Sequence, residues 1–294
     1  MPFLMPCEPG SPRRIDPAWA AERRCATGLG DGVQLLDHDA LERGNAAEAL
    51  ARTGLAGRGR DCFAWRGWMV RAESYALLDA AVRDAGCRLL DTPAAYVACH
   101  HGPVLLPGLG HLMAPAQVLP IDALDALDDL LLSRSGKPSI VKDWVKSQSG
   151  LWNEACFIPE PADLPAARRV VRRFLELQGA SLTGGLVFRD WVDLVPDGRG
   201  RPAEWRSFVV DGSVAATFHR TSPAPGDGPP RAVLDAVLPH VPARFWCMDH
   251  AVRRDGSWLL LEVGHGGVSG LPDWVDPAPV LAAVSRACRS APTA

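Results

Sequence analysis

Two carboxylates near the end of the chain occupy positions from which they could hold a metal ion. The apolar runs 248–252 and 258–263 flank an Asp-Gly pair at 255–256. This pattern predicts a tight turn, so the two runs should pair as antiparallel strands. Asp249 and Glu262 would then point from neighbouring strands toward one site. Their oxygen ligands suit Mg²⁺, which commonly takes one or two protein carboxylates. The alternative is a pair of strand-end carboxylates exposed to water.

Cationic side chains follow two other predicted strands. One strand ends at Lys142, and Lys146 leads into a loop of small polar residues at 147–150. Such loops let backbone N–H groups approach phosphate oxygens while a lysine supplies a point charge, although this loop lacks the P-loop consensus. Arg66 directly follows an earlier strand, where ligands of open α/β sheets lie, so it could meet an anion. The alternative is a surface arginine beside a packing tryptophan.

A further strand at 204–210 carries a glutamate and an arginine two residues apart. The two-residue period of a strand places Glu204 and Arg206 on one face. They could belong to the same site. The alternative is a cross-strand ion pair, worth about 0–1 kcal/mol if it is exposed.

The elements that must position these residues differ between the two halves of the chain. Over roughly the first 110 residues, strands alternate with helical segments such as 73–85, which favours an α/β domain with a mostly parallel sheet. After a Gly/Pro-rich passage at 102–120, hairpin patterns favour antiparallel sheets with helices, an α+β layout. One helix, 165–178, has a basic face that is either solvated or bound to an acidic or carrier partner. That face carries Arg168, Arg169, Arg172 and Arg173.

Composition excludes several classes of protein. The 294 residues include 47% hydrophobic and 22% charged residues, and the net charge of −3 gives no general attraction to nucleic acid or membranes. No apolar run approaches the ~20 residues that span a bilayer, and the first residues lack the basic segment of a signal peptide. Eight cysteines without a Cys-x-x-Cys pair indicate reduced thiols, so we predict a cytoplasmic protein.

Five motifs, taken in order, resemble the ATP-grasp superfamily, and the similarity covers most of the chain. They are Arg-Gly-Trp-Met, Val-Lys-Asp-x-x-Lys-Ser, Gly-Leu-Val-Phe-Arg, Glu-x-Arg and Glu-x-Gly-x-Gly-x-Val-Ser-Gly-Leu-Pro, at 66–69, 141–147, 185–189, 204–206 and 262–272. The resemblance implies an α/β pre-ATP-grasp domain at 1–112, followed by an α+β ATP-grasp domain at 113–294 with antiparallel sheets. Its smaller subdomain would be 113–184, and its larger one, with the metal site, 185–294.

For the nucleotide, the resemblance implies that Lys142 and Lys146 contact the phosphates of ATP and that Glu204 holds the ribose hydroxyls. Lys146 would be the displaced second phosphate lysine of a divergent clade and would assist catalysis. The backbone that reads the adenine edge would be that of Asp190, Trp191 and Val192.

For the reacting groups, the resemblance implies that Asp249 and Glu262 carry Mg²⁺. Arg206 would face the γ-phosphate or the substrate carboxylate as a catalytic and substrate-binding residue. Arg66 would hold substrate from the first domain.

The sequence departs from the family pattern just after the second carboxylate. Gly264 stands where the superfamily usually has a metal-binding asparagine, and His265 stands where the clade tends to have aspartate. The loss could weaken binding of a second Mg²⁺. His265 could act in catalysis by orienting or deprotonating an amine, or it could be a loop residue without chemistry.

The family chemistry implies an ADP-forming carboxylate–amine ligase that uses ATP and Mg²⁺. ATP would phosphorylate a carboxylate, and an amine would then displace phosphate to give an amide or peptide bond. The substrates would be a small-molecule or peptide carboxylate and an amine, with no nucleic acid or membrane partner. The alternatives are an ATP-grasp kinase that stops at a phosphorylated product, and a catalytically impaired nucleotide-binding partner protein. The resemblance leaves the acid, the amine and the oligomeric state open.

Overall fold

The computed structural model describes residues 2–55, 58–223 and 228–290, and the chain forms two compact units. The first unit comprises residues 1–99, 203–250 and 262–294. The second comprises residues 100–202 and 251–261. Both units are therefore assembled from segments that are distant in sequence.

The first unit contains a sheet built mainly from parallel strands. Its β1 (Phe3–Glu8) pairs in parallel with β3 (Val33–Leu36) and β4 (Cys62–Trp65), and β4 pairs in parallel with β5 (Arg88–Leu89). The strand β2 (Ser11–Ile15) adds an antiparallel hairpin to β1. Because parallel strands are covered on both faces, β1 and β4 are nearly continuous apolar runs and are buried.

Helices pack on both faces of this sheet. Neighbouring residues of β1 point to opposite faces, so Leu4 joins a core with α4, whereas Phe3 joins a core with α11. The helices of the first unit are α1 (Ala20–Gly28), α2 (His38–Glu42), α3 (Ala46–Leu50), α4 (Ala72–Asp84), α5 (Pro93–His100, whose last residue lies in the second unit), α10 (Arg231–Asp235) and α11 (Ala278–Ser290).

The second unit contains an antiparallel sheet in the order β6-β9-β7-β8. The apolar stripe of α9 packs on one face of it, where Val141 and Phe188 are buried. Lys142 pairs with Val187 and therefore lies on the opposite face. The elements are β6 (Ala116–Pro120), β7 (Ser139–Asp143), β8 (Phe157–Ile158), β9 (Gly185–Asp190), α6 (Gly102–Leu109), α7 (Leu127–Ser133), α8 (Trp152–Ala155) and α9 (Leu164–Gln178).

A third sheet has the order β11-β10-β12-β13, with strands β10 (Glu204–Val210), β11 (Ser213–His219), β12 (Phe245–Val252) and β13 (Trp258–His265). The turn between β10 and β11 has φ of 48° at Asp211 and 71° at Gly212, the two positive angles of a primed turn. The turn between β12 and β13 differs, because only Gly256 of its Asp-Gly pair has a positive φ, 84°. Its N–H bonds the carbonyl of Arg253 at 2.9 Å, which makes a longer loop.

The predicted fold class is confirmed: an α/β region is followed by antiparallel sheets with helices. The predicted domain boundaries at 112 and 184 stay a prediction. Among the described residues, no helix has both the length and the apolar character that a bilayer crossing requires.

Candidate functional site

The first unit brings Asp249 and Arg206 together as a buried ion pair. Arg206 donates from Nε and Nη2 to the two carboxylate oxygens of Asp249 at 2.8 and 2.7 Å. The two side chains are only 10% and 3% exposed. Paired N–H···O bonds of this kind are strong and directional, so the Asp249 carboxylate is held charged and in one orientation.

Glu262 lies beside the same guanidinium. Burial disfavours the charged form of Arg206, yet Cys247, Asp249 and Glu262 keep its pKa above the usual value. A Cβ added at Gly264 would lie 3.4 Å from the sulfur of Cys247. Gly264 and Cys247 each stand two residues from one of the carboxylates, and residues two apart on a strand share a face. Asp249 and Glu262 therefore extend from one face of the third sheet.

Arg220, the residue after β11, completes this cluster. Its Nη1 donates to Oε2 of Glu204 at 2.6 Å and lies 3.4 Å from Oδ2 of Asp249. Its backbone N–H also bonds the carbonyl of Glu204 at 2.8 Å. Glu204 and Arg206 share a strand, but each bonds a charged partner outside that strand. Three carboxylates and two guanidinium groups thus form one carboxylate–arginine cluster.

The chemistry of this cluster fits a Mg²⁺ ion. Asp249 and Glu262 offer hard oxygen ligands, and Mg²⁺ usually completes its shell with water and substrate phosphates. Within the part of the chain that the structure describes, no group of three or more His, Cys, Asp or Glu residues could form a metal site by itself. The cluster therefore suits an ion that arrives with ligands of its own, and Arg206 would have to share Asp249 with it.

The second unit places the two predicted phosphate lysines on one strand and the loop that follows it. Lys142 in β7 is half-buried, and its charge opposes the rise that burial causes in the pKa of Cys156, to about 11. A bridge between Lys142 and Ser147 returns the loop to the strand. Buried Asp143 shapes the turn, because its Oδ1 accepts the N–H groups of Lys146 at 2.5 Å and of the preceding residue at 2.7 Å. Lys146 itself is exposed.

Lysine is scarce in this chain. It occurs only at positions 137, 142 and 146, so arginine supplies the other 28 of the 31 basic residues. A lysine ammonium is a compact point charge, whereas a guanidinium is a wide planar fork. Two lysines on one strand and its loop, in a chain that otherwise uses arginine, fit a ligand that needs compact charge at that place.

The predicted adenine-reading segment follows β9. The N–H groups of Asp190 and Trp191 bond the carbonyls of Pro115 and Pro138, both at 2.8 Å. The carboxylate of Asp190 bonds Arg134 at 2.5 Å. These bonds position the start of the segment, so base recognition would involve the backbone of Val192 and the neighbouring carbonyls.

The structure places Arg66 inside the first unit. It is fully buried and donates to both oxygens of Glu22, at 2.6 and 2.7 Å. Its Nη1 donates to the carbonyls of Gly266 at 2.8 Å and Ser269 at 2.5 Å. All three guanidinium nitrogens therefore bond within the protein. Direct binding of substrate by Arg66 stays a prediction, and the geometry favours a role in positioning the loop after β13.

His265 is also buried, at 2% exposure. Its Nδ1 accepts the N–H of Gly267 at 3.1 Å, so its ring proton belongs on Nε2, which lies 3.1 Å from Oδ2 of Asp91. The rings of Tyr75 and Tyr96 pack against it, at 5.7 and 4.9 Å between centroids. Both ring nitrogens are used internally, which favours a structural role. Deprotonation of an amine by His265 stays a prediction.

Sequence reasoning missed three residues of these sites: Asp91, Asp143 and Arg220. Asp143 had a local signal, because an aspartate at a strand end often accepts the N–H groups of the turn that follows. The other two had none. Asp91 meets His265 across 174 positions of sequence, and the contact of Arg220 with Asp249 depends on the order of strands in the sheet.

Comparisons with known proteins agree with this geometry. A family model described as an ATP-grasp domain, family 3 of its clade, matches residues 133–284, which is just over half of the chain. No curated protein sequence matches the chain.

Solved structures share the fold at low sequence identity. D-cycloserine synthetase DcsG is 18% identical with a TM-score of 0.66, covering 98% of this chain and 99% of that chain. A RimK domain ATP-grasp protein from Sphaerobacter thermophilus DSM 20745 is 14% identical with a TM-score of 0.61, covering 98% of this chain and all of the other. ATP-grasp ligase PsnB, complexed with minimal precursor, Mg and ADP, is 13% identical with a TM-score of 0.56, covering 98% of both chains.

Replacing Arg66 by methionine should lower the free energy of unfolding by about 3–5 kcal/mol, because it leaves Glu22 as a buried charge without its partner. Urea denaturation measures the change. Arg71→Met is the matched control, since Arg71 is 62% exposed in its pair with Glu42 and such pairs contribute about 0–1 kcal/mol. Equal losses in the two variants would contradict the positioning role of Arg66.

Replacing Asp143 by alanine should release the loop that carries Lys146. The amide hydrogens of residues 145 and 146 would lose their acceptor and should exchange about tenfold faster or more, since a hydrogen bond to a charged group contributes about 1.5–3 kcal/mol. Hydrogen exchange read by mass spectrometry reports this. Asp163→Ala, which removes the carboxylate that caps α9, is the control and should leave those two amides unchanged. Unchanged exchange in the Asp143 variant would exclude this role.

Proposed function

Because the chain belongs to the ATP-grasp domain family whose model it matches, we propose that it is an ATP-dependent ligase that joins a carboxylate to an amine. The observation that most supports this proposal is the carboxylate–arginine cluster of the first unit. It combines carboxylates suited to ribose hydroxyls and to a metal with guanidinium groups suited to anions.

In this proposal, Lys142 and Lys146 neutralise the phosphates of ATP. Asp143 keeps their loop in one conformation. Glu204 accepts hydrogen bonds from the ribose hydroxyls, and the backbone at Val192 reads the adenine edge. The protein thereby supplies fixed charges and hydrogen-bond partners rather than a covalent intermediate.

Asp249 and Glu262 would hold Mg²⁺, with phosphate oxygens and water as its remaining ligands. When bound, the ion neutralises charge on the transferring phosphoryl group. Arg206 keeps the Asp249 carboxylate in one orientation. Arg66 and His265 hold the loop that follows Glu262, so they act through position.

The proposed reaction has two steps. A carboxylate oxygen of the acid attacks the γ-phosphorus of ATP, the bond to the β–γ bridging oxygen breaks, and ADP leaves. The amine then attacks the acyl carbon, the bond to the phosphate oxygen breaks, and the amine nitrogen loses a proton as phosphate leaves. Phosphorylation converts a poor leaving group into a good one. Holding the reactants together can supply ~7–11 kcal/mol of the barrier reduction.

We propose an amino acid or a peptide as the acid. Two proteins that share the fold support this class: DcsG is a D-cycloserine synthetase, and PsnB binds a precursor peptide. The amine would be of similar size or a side chain of the same peptide.

Purified protein with ATP, Mg²⁺ and pools of amino acids and short peptides should release ADP only when an acid and an amine are both present. Glu262→Gln should lower turnover about 100-fold or more, because it removes a charged group aimed at the reacting phosphate. Glu176→Gln is the matched control, since Glu176 is an exposed partner of Arg173 on α9.

Each other outcome of this assay excludes the ligase. AMP release would contradict the acyl-phosphate route. ADP formed from a single substrate, with a stable phosphorylated product, would identify a kinase. Nucleotide binding without turnover on any pool would favour a binding partner.

An amine-reactive reagent should distinguish the three lysines when ATP is present. At ten times the Kd, about one site in eleven stays free, so labelling of Lys142 and Lys146 should fall roughly tenfold. Exposed Lys137 is a built-in control and should label equally with and without ATP. Peptide mass spectrometry resolves the positions, and equal labelling of all three lysines in both states would contradict the phosphate assignment.

A further inference from the structure

We propose that Arg220 is the arginine that contacts the terminal phosphoryl group of ATP, whereas Arg206 positions Asp249. This inference rests on the proposed function and names a residue to which neither the sequence motifs nor the comparisons assign a role. It reverses the simpler expectation that the arginine of the Glu-x-Arg motif meets the phosphate.

The bonds of Arg206 leave it little capacity for a ligand. Its Nε and Nη2 both bond Asp249, and its Nη1 donates to the carbonyl of Gly270 at 3.3 Å. Its side chain is 10% exposed. A guanidinium whose nitrogens all bond inside the protein would have to break a buried ion pair to reach a phosphate, and that is unfavourable because it exposes Asp249 as an unpaired charge.

Arg220 has the opposite properties. Its side chain is 42% exposed, and one nitrogen, Nη1, makes both of its carboxylate contacts, with Glu204 and Asp249. The bond from its backbone N–H to Glu204 holds the residue against β10. An arginine has five N–H donors, so a guanidinium held by one nitrogen can turn its remaining donors to a phosphate.

The two partners of Arg220 indicate which ligand it meets. Glu204 is the proposed ribose carboxylate, and Asp249 is a proposed metal carboxylate, so both belong to nucleotide binding. Arg220 touches them at once. Its accessible donors therefore lie where the nucleotide is held, and we assign them to the terminal phosphoryl oxygens rather than to the acid substrate.

Charge balance also requires a second cation in this cluster. Glu204, Asp249 and Glu262 bring three negative charges, and Arg206 offsets one of them inside the ion pair. Without Arg220, a polyanionic nucleotide would approach an excess of negative charge. With Arg220 in place, the excess falls to one, which a bound Mg²⁺ more than offsets.

The test compares ADP with a non-hydrolysable ATP analogue, AMPPNP, which differs by the terminal phosphoryl group. Wild-type protein should bind both in the presence of Mg²⁺. Arg220→Ala should weaken AMPPNP binding about 10- to 100-fold more than ADP binding, the expected effect of losing hydrogen bonds to a charged group. The loss of the Glu204 contact affects both nucleotides equally, so the ratio of the AMPPNP Kd to the ADP Kd isolates the terminal phosphate.

Arg220→Gln keeps a side chain with donors but no charge and serves as a second variant, and it should raise this ratio by a similar factor. Arg231→Ala, which removes an exposed arginine paired with Asp235 on α10, should leave the ratio unchanged. Isothermal titration calorimetry measures all the constants.

Each other result excludes the assignment. Equal weakening of both nucleotides in the Arg220 variants would reduce the residue to a structural role, and an unchanged ratio would overturn the proposal. A raised KM for the acid with an unchanged ratio would place Arg220 on the substrate instead. Wild-type protein that binds neither nucleotide would overturn the proposed function itself, so the two failures are distinguishable.

Discussion

The geometry of the carboxylate–arginine cluster depends on the buried guanidinium of Arg66. Its partner Glu22 belongs to α1, and the carbonyls that it bonds, those of Gly266 and Ser269, belong to the loop after β13. Gly267 in the same loop accepts the backbone N–H of the residue after Arg66, at 2.9 Å. The end of β13 therefore cannot shift without breaking a buried ion pair. Glu262 stands a few residues earlier on that strand, so its position is set from outside its own hairpin.

The glycines of this loop follow from the same packing. A Cβ at Gly267 would lie 2.4 Å from the carbonyl oxygen of Trp65, so no larger residue fits there. At Gly264 a Cβ would lie 3.2 Å from Oγ of Ser269, a contact that is tight without being prohibitive. This gives a physical reason for the absence of the usual asparagine: its side chain would compete for the space that Ser269 occupies. His265 at the next position is then used internally, through its contact with Asp91.

Local chemistry allowed much of the fold to be predicted, and tertiary pairing accounts for what was missed. Alternating strands and helices predicted the first sheet, and the turn at Asp211 has the primed angles that its Asp-Gly pair requires. The second Asp-Gly turn is longer, because only Gly256 takes a positive φ. The residue types of the site were identified, but their pairing was not. Which arginine bonds Asp249 depends on strand order, and the burial of Arg66 depends on Glu22, which lies 44 positions away.

The Arg206–Asp249 pair is costly for a fold to contain. Both ions lose their hydration, and hydrophobic residues of similar size in place of such a pair are often neutral or stabilising, by about 1–4 kcal/mol. Stability alone therefore does not explain why two charged residues occupy adjacent positions on β10 and β12. A requirement for a carboxylate in one fixed orientation does explain it, because bidentate pairing restricts Asp249 more tightly than packing could. The half-exposed Arg220 then supplies the charge that the buried pair cannot offer to a ligand.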